Sequence, residues 1–331
     1  MKLSWIKALG GFFLAALLTA LPVSATNTAL PGTLNFVEGQ ASIQNQPLSS
    51  KSVGSADLQP GQELTTENGR AEVLLMPGVF LRLDHNSAVK MISPELTNTK
   101  VQLEKGRAEI EVAEIHKQNN LQVLQDDAST QLRKTGLYDF SAGQDNIRVI
   151  KGEAMVTDGD KQVKVKGGHE LTFNSPKLKA EKFDKDSLKN GDDFYAWSSL
   201  RDQYLSEASA NAATIYVGPS WVGPGWYWDP AFFGYTFIPG GGVLYSPFGP
   251  WGFYSPGFIY SSGPYFGYGF YGAPIRWHRG FIGHPVTGVH PIRPGRPIAP
   301  HTFGHLGGPH LGAFHGSAGP GFHGGPGGFH H

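Results

Sequence analysis

The sequence of 331 residues contains no cysteine, and its last third has almost no charge of either sign. The absence of cysteine excludes disulfide bonds, thiolate catalysis and a lipid-modified cysteine anchor. From Tyr216 onward there are one acid, Asp229, four arginines, and neither lysine nor glutamate. Residues 26–200 therefore hold nearly all the charge, which sums to zero over the chain. No basic stripe of the kind that binds nucleic acid is visible, so nucleic acid is not expected as a partner.

Long hydrophobic runs are scarce, and the clearest one lies at the N-terminus. Two lysines precede an apolar stretch from Ala8 to Leu21, and Val23-Ser24-Ala25 supplies small residues after it. This order predicts a secretory signal peptide over residues 1–25. The alternative is an uncleaved membrane anchor, but the apolar run is shorter than the roughly 20 residues that a span needs. We therefore expect an exported, periplasmic or extracellular protein with no transmembrane span after cleavage.

A short pattern recurs four times along the first half of the chain: glycine, a polar residue, alanine, any residue, then isoleucine or valine. Its copies begin at Gly39, Gly69, Gly106 and Gly152. A glycine followed by apolar residues at alternate positions is typical of a turn that leads into a half-buried strand. The alanine in each copy is a small inward-facing residue, so the repeat indicates packing and no reaction chemistry.

The repeats lie in a region, residues 30–175, where short apolar alternations recur about every ten residues. Turn residues such as Pro77-Gly78 and Asp158-Gly159-Asp160 separate them. This pattern predicts an all-β domain of many short strands. Two architectures remain open, a β-sandwich with duplicated halves and a short β-solenoid built from the internal repeat.

One amphipathic helix with a following linker is predicted over residues 184–213. Asp192 or Asp193 can cap it. We expect the apolar stripe of this helix to dock onto the β domain, and the run from Ser206 to Ala213 to fray into the linker. The stripe has intervals of three or four residues and consists of Phe194, Trp197, Leu200, Tyr204 and Ala208.

The rest of the chain is of low complexity. Residues 216–275 are rich in glycine, proline and aromatic residues, which fits either short hairpins or an extended, disordered chain. Their aromatic rings could stack on sugars, pack against each other or drive self-association, and we favour the last two. Residues 276–331 are rich in His, Gly and Pro. They are predicted to be disordered, because too few large apolar groups are present to offset an ordering cost of about 1–2 kcal/mol per residue.

The motifs of residues 30–175 resemble those of FecR-type domains. The resemblance is carried by Gly61-x-Glu63-Leu64-Thr65-Thr66, Gly69-x-Ala71, Arg82-Leu83-Asp84-x-x-Ser87, Val101-x-Leu103-x-x-Gly106-x-Ala108, Gly136-x-Tyr138, Gly152-x-Ala154-x-Val156 and Gly168-x-Glu170-Leu171. It implies a non-enzymatic envelope module. Members of the iron-citrate regulator type sit across the inner membrane and relay the occupancy of an outer-membrane transporter to a cytoplasmic sigma factor. Here we expect a signal peptide and no cytoplasmic segment, so the resemblance implies only a sensing, binding or scaffolding module.

The search for catalytic residues finds one weak combination. Asp84, His85 and Ser87 have the residue types of a hydrolase triad. Their closeness in sequence is poor for a triad and good for a turn, in which Asp84 or Asn86 would bond nearby backbone amides.

Carboxylates on the predicted strands are the other candidates. Glu72, Glu109 and Glu111 lie near Arg70 and Arg107. We interpret them as solvated cross-strand charge pairs without acid–base work. No enzyme, no catalytic residue and no cofactor are therefore predicted, and a carbohydrate-active enzyme lacks a credible carboxylate pair.

Histidines of the tail are the one chemical signal. Neutral imidazoles bind Zn, Ni or Cu, and a flexible chain can gather several around one ion, although weakly. The alternative is a hydrophilic spacer. The candidate ligands are His278, His284, His290, His301, His305, His310 and His315.

We thus predict an exported envelope protein with a sensing, binding or scaffolding role. An envelope protein or a cell-wall polymer would be its partner, and self-association through the aromatic segment is a further expectation. The second hypothesis is a metal-binding protein that acts through the histidine tail.

Overall fold

A computed structural model describes residues 29–173, 175, 177–218 and 221–262. No helix within these ranges is long and apolar enough to cross a membrane. The strands are β1 (Leu34–Ile43), β2 (Gln46–Pro47), β3 (Glu63–Met76), β4 (Val79–Leu83), β5 (Ala88–Glu95), β6 (Asn98–Lys105), β7 (Arg107–Val112), β8 (Leu121–Gln125), β9 (Ala128–Leu132), β10 (Gly136–Ser141), β11 (Asn146–Lys151), β12 (Glu153–Asp158), β13 (Lys161–Lys166), β14 (His169–Thr172), β15 (Glu181–Lys182), β16 (Gly225–Asp229), β17 (Gly234–Ile238), β18 (Val243–Tyr245) and β19 (Gly252–Tyr254). The helices are α1 (Lys185–Gly191), α2 (Asp193–Ile215) and α3 (Pro256–Ser261), with a 3-10 turn at Ser50–Ser52.

Strands β1–β15 form one continuous sheet. Its order is β13-β12-β9-β8-β6-β5-β3-β4-β7-β10-β11-β14-β15, with β1 paired to β3 and β2 paired to β1. Among these strands only β6 and β8 pair in parallel. The long strand β3 joins two halves of the sheet, because Glu63–Thr65 pairs with β5 while Ala71–Met76 pairs with β4.

Both halves of the sheet contribute to a single apolar core. Residues at alternate positions of the central strands point into it and are almost completely buried, which is the period expected for strands with one buried face. The predicted all-β fold is confirmed. Because neighbouring strands are mostly antiparallel and the halves share one core, the arrangement is closer to a sandwich than to the stacked parallel coils of a solenoid. The core includes Val101, Val123 and Val156 from one half and Ile110, Tyr138 and Val149 from the other.

The sequence repeat is a packing device, as predicted. The alanines of its four copies are at most 8% exposed. Gly39 and Gly69 face each other in the β1–β3 pair. Gly39 has a φ of +64°, and a Cβ there would lie 2.2 Å from the carbonyl oxygen of Asn68, while one on Gly69 would lie 2.5 Å from the Gln40 nitrogen. These two positions allow β1 and β3 to approach more closely than any side chain would permit.

Helix α2 begins where the sequence predicts, but it ends later. The Asp192 carboxylate accepts a hydrogen bond of 2.9 Å from the Tyr195 backbone nitrogen and caps the helix. The prediction that Ser206 to Ala213 would fray was wrong, since the helix continues to Ile215. The reason is that Ser206 and Ser209 are buried and bind the backbone of the hairpins that follow.

The predicted apolar stripe of α2 was only partly right. Phe194 and Ala208 are buried, but Leu200 and Tyr204 remain 49% and 46% exposed. A polar set, including Ser198, Arg201 and Asp202, is buried in their place. A polar helix face can be buried only where the opposing surface offers charges and hydrogen-bond partners.

The aromatic segment contributes two hairpins in its described part, β16–β17 and β18–β19. Their rings form a second core with Phe80 of β4 and Leu205 of α2. The Phe80 ring stacks on Phe253 with centroids 5.5 Å apart, and Trp226 meets Phe80 edge-on at 5.1 Å. Packing, one of the two favoured interpretations, thus accounts for these rings.

Candidate functional site

The sheet surface opposite the main core is lined by charged side chains. In the strand register Glu72, Arg82, Glu109, Asp139 and Arg148 lie side by side on β3, β4, β7, β10 and β11. We call these five residues the charged row. They alternate along each strand with residues of the main core, so the row follows from the two-residue period of a strand. Helix α2 covers it.

Arg82, the second member of the row, is fully buried. Its guanidinium lies 2.8 Å from a Glu72 oxygen and 2.9 Å from a Glu111 oxygen. Arg201 of α2 reaches the other Glu72 oxygen at 2.9 Å. Although burial acts to raise it, the pKa of Glu72 is lowered by Arg201 and Arg82. Glu72 is therefore an ionised carboxylate between two guanidinium groups.

The pKa values of Glu109, in the charged row, and of the nearby Glu111 are raised instead of lowered. Burial, reinforced by the nearby Asp139 carboxylate, raises the pKa of Glu109 to about 8. The neighbouring Arg82, Ser198 and Arg107 act against this rise without cancelling it. Burial and the Asp202 carboxylate likewise raise the pKa of Glu111 well above its usual range. With a pKa of about 8, Glu109 is mostly a neutral acid near neutral pH.

The N-terminal end of α2 is held by two arginines of the sheet. Arg107 of β7 lies 2.7 Å from an Asp192 oxygen, and Arg70 of β3 lies 2.7 Å from an Asp193 oxygen. Hydrogen bonding from Arg70 lowers the pKa of Asp193. Burial acts to raise the pKa of Asp192, but hydrogen bonds from Arg107 and from the Tyr195 backbone lower it overall. Acids at a helix N-terminus are also stabilised by the helix dipole, so these contacts fix the position of α2.

The Asp139 carboxylate on β10 binds arginines of both neighbouring strands, β7 and β11. Its oxygens accept from the Arg107 Nε at 2.7 Å and from the Arg148 Nε at 2.8 Å. The carboxylate is 1% exposed. Bonding to two guanidinium groups offsets the cost of burying its charge.

Aromatic rings complete the surroundings of the arginines. The Arg201 guanidinium lies 4.0 Å from the centroid of Phe36 and 4.9 Å from that of Phe232. Arg82 lies 5.6 Å from Phe80 and 5.7 Å from Phe248. A cation over a desolvated ring is attracted by about 2 kcal/mol or more. The hairpin segment therefore stabilises the buried arginines Arg82 and Arg201 as well as covering them.

Asn35 links the cluster to the first hairpin. Its Nδ2 donates to Glu72 and to the Tyr235 carbonyl, both at 2.9 Å, and its Oδ1 accepts from the Tyr235 backbone nitrogen at 2.7 Å. Asn35 is 1% exposed. One side chain of β1 thus binds an acid of β3 and the backbone of β17.

Comparison with known families matches the same strands. Residues 62–155 match the family model described as FecR protein, a range that begins beside β3 and ends in β12. The chain carries a FecR domain. The matched range contains every member of the charged row. The family indicates a signalling or sensing module and a non-enzymatic, regulatory protein of the kind associated with the cell envelope.

No curated protein matches the chain. Two crystal structures from Parabacteroides distasonis ATCC 8503, both described as a candidate anti-sigma factor, are similar to it. The first is 15% identical, covers 41% of this chain and 64% of its own, and has a TM-score of 0.34. The second is 13% identical, covers 54% of this chain and 98% of its own, also with a TM-score of 0.34. The chain thus spans less than two thirds of the first of these structures.

The interpretation of three carboxylates of the FecR domain as solvated charge pairs was wrong. Glu72, Glu109 and Glu111 were predicted to be solvated, yet they are at most 1% exposed. They lie beneath α2 and the hairpins, where a substrate has no access to them. Their role is to join the FecR domain to the segment that follows it.

Asp84, His85 and Ser87, which have the residue types of a hydrolase triad, lie in a turn between β4 and β5. Asp84 binds Arg70 at 2.9 Å, so the expected bond from this carboxylate to a backbone amide is not what anchors it. The Ser87 hydroxyl donates to the His85 carbonyl at 3.0 Å and accepts from the Arg107 backbone nitrogen at 2.9 Å. The hydroxyl therefore connects the β4–β5 turn to β7 of the FecR domain.

The seven candidate metal ligands, His278 to His315, lie outside the described residues. Within the part of the chain that the structure describes, no group of three or more His, Asp or Glu side chains could hold a metal ion. The hypothesis of metal binding therefore rests on the tail sequence alone.

Proposed function

We propose that this protein is exported and acts in the periplasm or outside the cell as a FecR-type sensing or scaffolding module. It binds an envelope component and catalyses no reaction. The observation that carries the proposal is burial: the carboxylates of Glu72 and Glu109 in the charged row, and of the nearby Glu111, are covered by the chain's own α2 and hairpins. A partner must then be bound by the surfaces of the FecR domain that remain open.

Export is supported by the sequence of residues 1–25, with basic residues, an apolar run and small residues in the order typical of a signal peptide. Those residues lie outside the described part of the chain. Cell fractionation with an antibody against the FecR domain tests this directly. We expect the protein in the osmotic-shock or culture fraction, shortened at its N-terminus. Full-length protein in the cytosol would contradict export.

Partner binding is tested by photo-crosslinking in intact cells. A photoreactive residue replaces Lys161 or Glu181, which lie at opposite ends of the sheet and are exposed. The matched control replaces the exposed Lys51 in the 3-10 turn, away from both sheet ends. We expect an envelope protein or cell-wall material attached at a sheet end and absent from the control. Normal export without any crosslinked product would contradict a binding role.

A regulatory role has its own readout. RNA sequencing of a deletion strain, compared with the strain complemented by the full chain, should show a set of transcripts that changes and is restored. A FecR-type scaffold without signalling would leave transcripts unchanged while the crosslinks persist. The two experiments thus separate sensing from scaffolding.

Metal binding is the second candidate, because seven of the ten histidines in residues 276–331, His278 to His315, recur at intervals of four to eleven residues. Calorimetric titration of the full chain with Zn or Ni at about pH 7.5 and 5.5 tests it, since free imidazole protonates near pH 6.5. A variant with the seven histidines changed to Gln is the control. Binding that is weak, lost in the variant and lost at the lower pH supports it, and unchanged binding by the variant refutes it.

A further inference from the structure

The sheet has a second polar surface, separate from the charged row, on the outward side of β6, β8, β9, β12 and β13. In the strand register Lys100, Gln122, Gln131, Met155 and Lys164 lie side by side. We call these five residues the outer row. Each is half-buried or exposed, while the residues on either side of it along the strands face the core. Across four strand spacings of about 4.8 Å, the two lysines stand about 19 Å apart.

Amide side chains in the outer row and beside it hold one another in place by hydrogen bonds. The Asn120 Oδ1 accepts from the Gln122 Nε2 and the Gln131 Nε2, both at 3.1 Å, while its Nδ2 donates to Asn98 at 2.9 Å. The Arg133 Nε donates to the Gln131 Oε1 at 3.2 Å. Long polar side chains on a surface otherwise lose rotamer freedom on binding, at about 0.5–1.5 kcal/mol each. A network that holds them in place reduces this cost in advance.

The composition of this surface is suited to a sugar polymer. Ordered amides both donate and accept, as hydroxyl groups require. The thioether of Met155 and the half-buried Leu124 give apolar contact for the C–H faces of a pyranose ring. Lys100 makes no ion pair among the described residues, and Lys164 has only a 3.7 Å contact with Glu153. Their ammonium groups at the ends of the row are therefore open to carboxylates.

We propose that the outer row binds a carboxylated polysaccharide, a polymer of pyranose units that includes uronic acids. The polysaccharide would lie across the strands. Its hydroxyl groups would form hydrogen bonds with the amides, and its carboxylates would pair with the two lysines. The proposal rests on the proposed function and names the class of its partner. It does not involve the aromatic segment, which is largely used in packing.

Other macromolecules fit this surface less well. Protein interfaces have aromatic or arginine anchors in pockets and are depleted in lysine, whereas this face is an open sheet surface with neither Trp, Tyr nor Phe among its outward residues. Nucleic acid needs a run of cations to neutralise phosphates. On the five strands, the outward cations Lys100, Lys164 and Lys166 are partly balanced by Glu104 and Glu153.

Biolayer interferometry on the immobilised full chain tests the proposal, with polygalacturonate as the probe at about 0.15 M salt. Dextran is the uncharged comparison and polyphosphate the comparison for charge alone. We expect polygalacturonate to bind, dextran to bind more weakly and polyphosphate not to bind. Absence of polygalacturonate binding, or equal binding of polyphosphate, would overturn the proposal.

Two double variants locate the site. Lys100→Glu with Lys164→Glu should weaken binding at least about tenfold, because both charged contacts become repulsive. Gln122→Ala with Gln131→Ala should weaken it about fivefold through lost hydrogen bonds. Lys51→Glu, an exposed charge reversal elsewhere, is the matched control and should bind as the parent does. Unchanged affinity in both double variants, with urea unfolding midpoints equal to the parent, would refute the assignment.

The design separates this inference from the function on which it depends. If polygalacturonate does not bind but the chain crosslinks to an envelope protein in cells, the outer row is not a glycan site and the binding module stands. If neither is found, both fail. Should the lysine variant not fold, the glutamine pair alone decides, since it removes no charge.

Discussion

The pKa of Glu109 gives a prediction about stability that can be worked out in detail. The ordinary value is 4.5 and the value in the folded protein is about 8. Between these pH values the unfolded chain loses a proton that the folded chain keeps. Stability therefore falls as pH rises through this window, by about 1.4 kcal/mol per pH unit, and no further above pH 8. Across the window the loss attributed to Glu109 is about 5 kcal/mol.

Replacing Glu109 with Gln removes the titration while keeping the shape of the side chain. We expect Glu109→Gln to be close to the parent in stability near pH 4.5 and progressively more stable than it up to about pH 8. The difference between the two proteins isolates Glu109 from Glu111, whose pKa is also raised and which is present in both.

Urea unfolding followed by tryptophan fluorescence, at several pH values from about 4.5 to 9, measures this difference. Glu38→Gln, which changes an exposed carboxylate on β1, is the control and should follow the parent at every pH. If the stability of Glu109→Gln falls with pH in parallel with that of the parent, Glu109 ionises normally. The description of the charged row as a desolvated interface would then be wrong.

Three other substitutions test the same architecture. Arg82→Met leaves Glu72 and Glu111 buried without their shared cation and should cost about 3–5 kcal/mol in urea unfolding; a loss below about 1 kcal/mol would show that solvent reaches the row. Asn35→Ala should speed hydrogen exchange of the β16–β17 amides while leaving the main core protected, because it removes both bonds to Tyr235; uniform exchange throughout the chain would argue against a local tether. Gly39→Ala should destabilise more than Gly61→Ala, since both glycines have positive φ but only the first has backbone where a Cβ would go; equal thermal midpoints would contradict the close approach of β1 and β3.

The features that could be predicted from the sequence are those encoded by neighbouring residues. The alternation around Ala71, Ala108 and Ala154 predicts strands with an inward face, and these alanines are buried. The Asp192 cap needs only the residues of the first helical turn, and it is observed. The FecR resemblance was likewise carried by local strand and turn motifs, and the family match confirms it.

The charged row could not be predicted in this way, because it depends on two distant segments being polar on facing sides. A glutamate at an alternate strand position is predicted to be solvent-exposed unless the segment that packs over it is known. One signal was present in the sequence. Ser198, Asp202, Ser206 and Ser209 recur at intervals of three or four residues and, with Arg201 beside Asp202, form a polar stripe on α2. Matched with Glu72 and Arg82, that stripe indicates a polar interface rather than a solvated helix face.

The hydrogen bonds between Asn35 and Tyr235 join residues 200 positions apart. At a synthesis rate of about 5–20 residues per second, the second partner follows the first by about 10–40 s. Arg201 of the covering helix α2 follows Glu72 by 129 positions, so at the same rate the sheet face around Glu72 has no cover for about 6–26 s. An apolar face left open for so long would attract other unfinished chains, whereas a charged one stays hydrated until the helix and hairpins arrive. We expect the charged side chains that later form the ion pairs between the layers to keep the growing chain from aggregating before those layers meet.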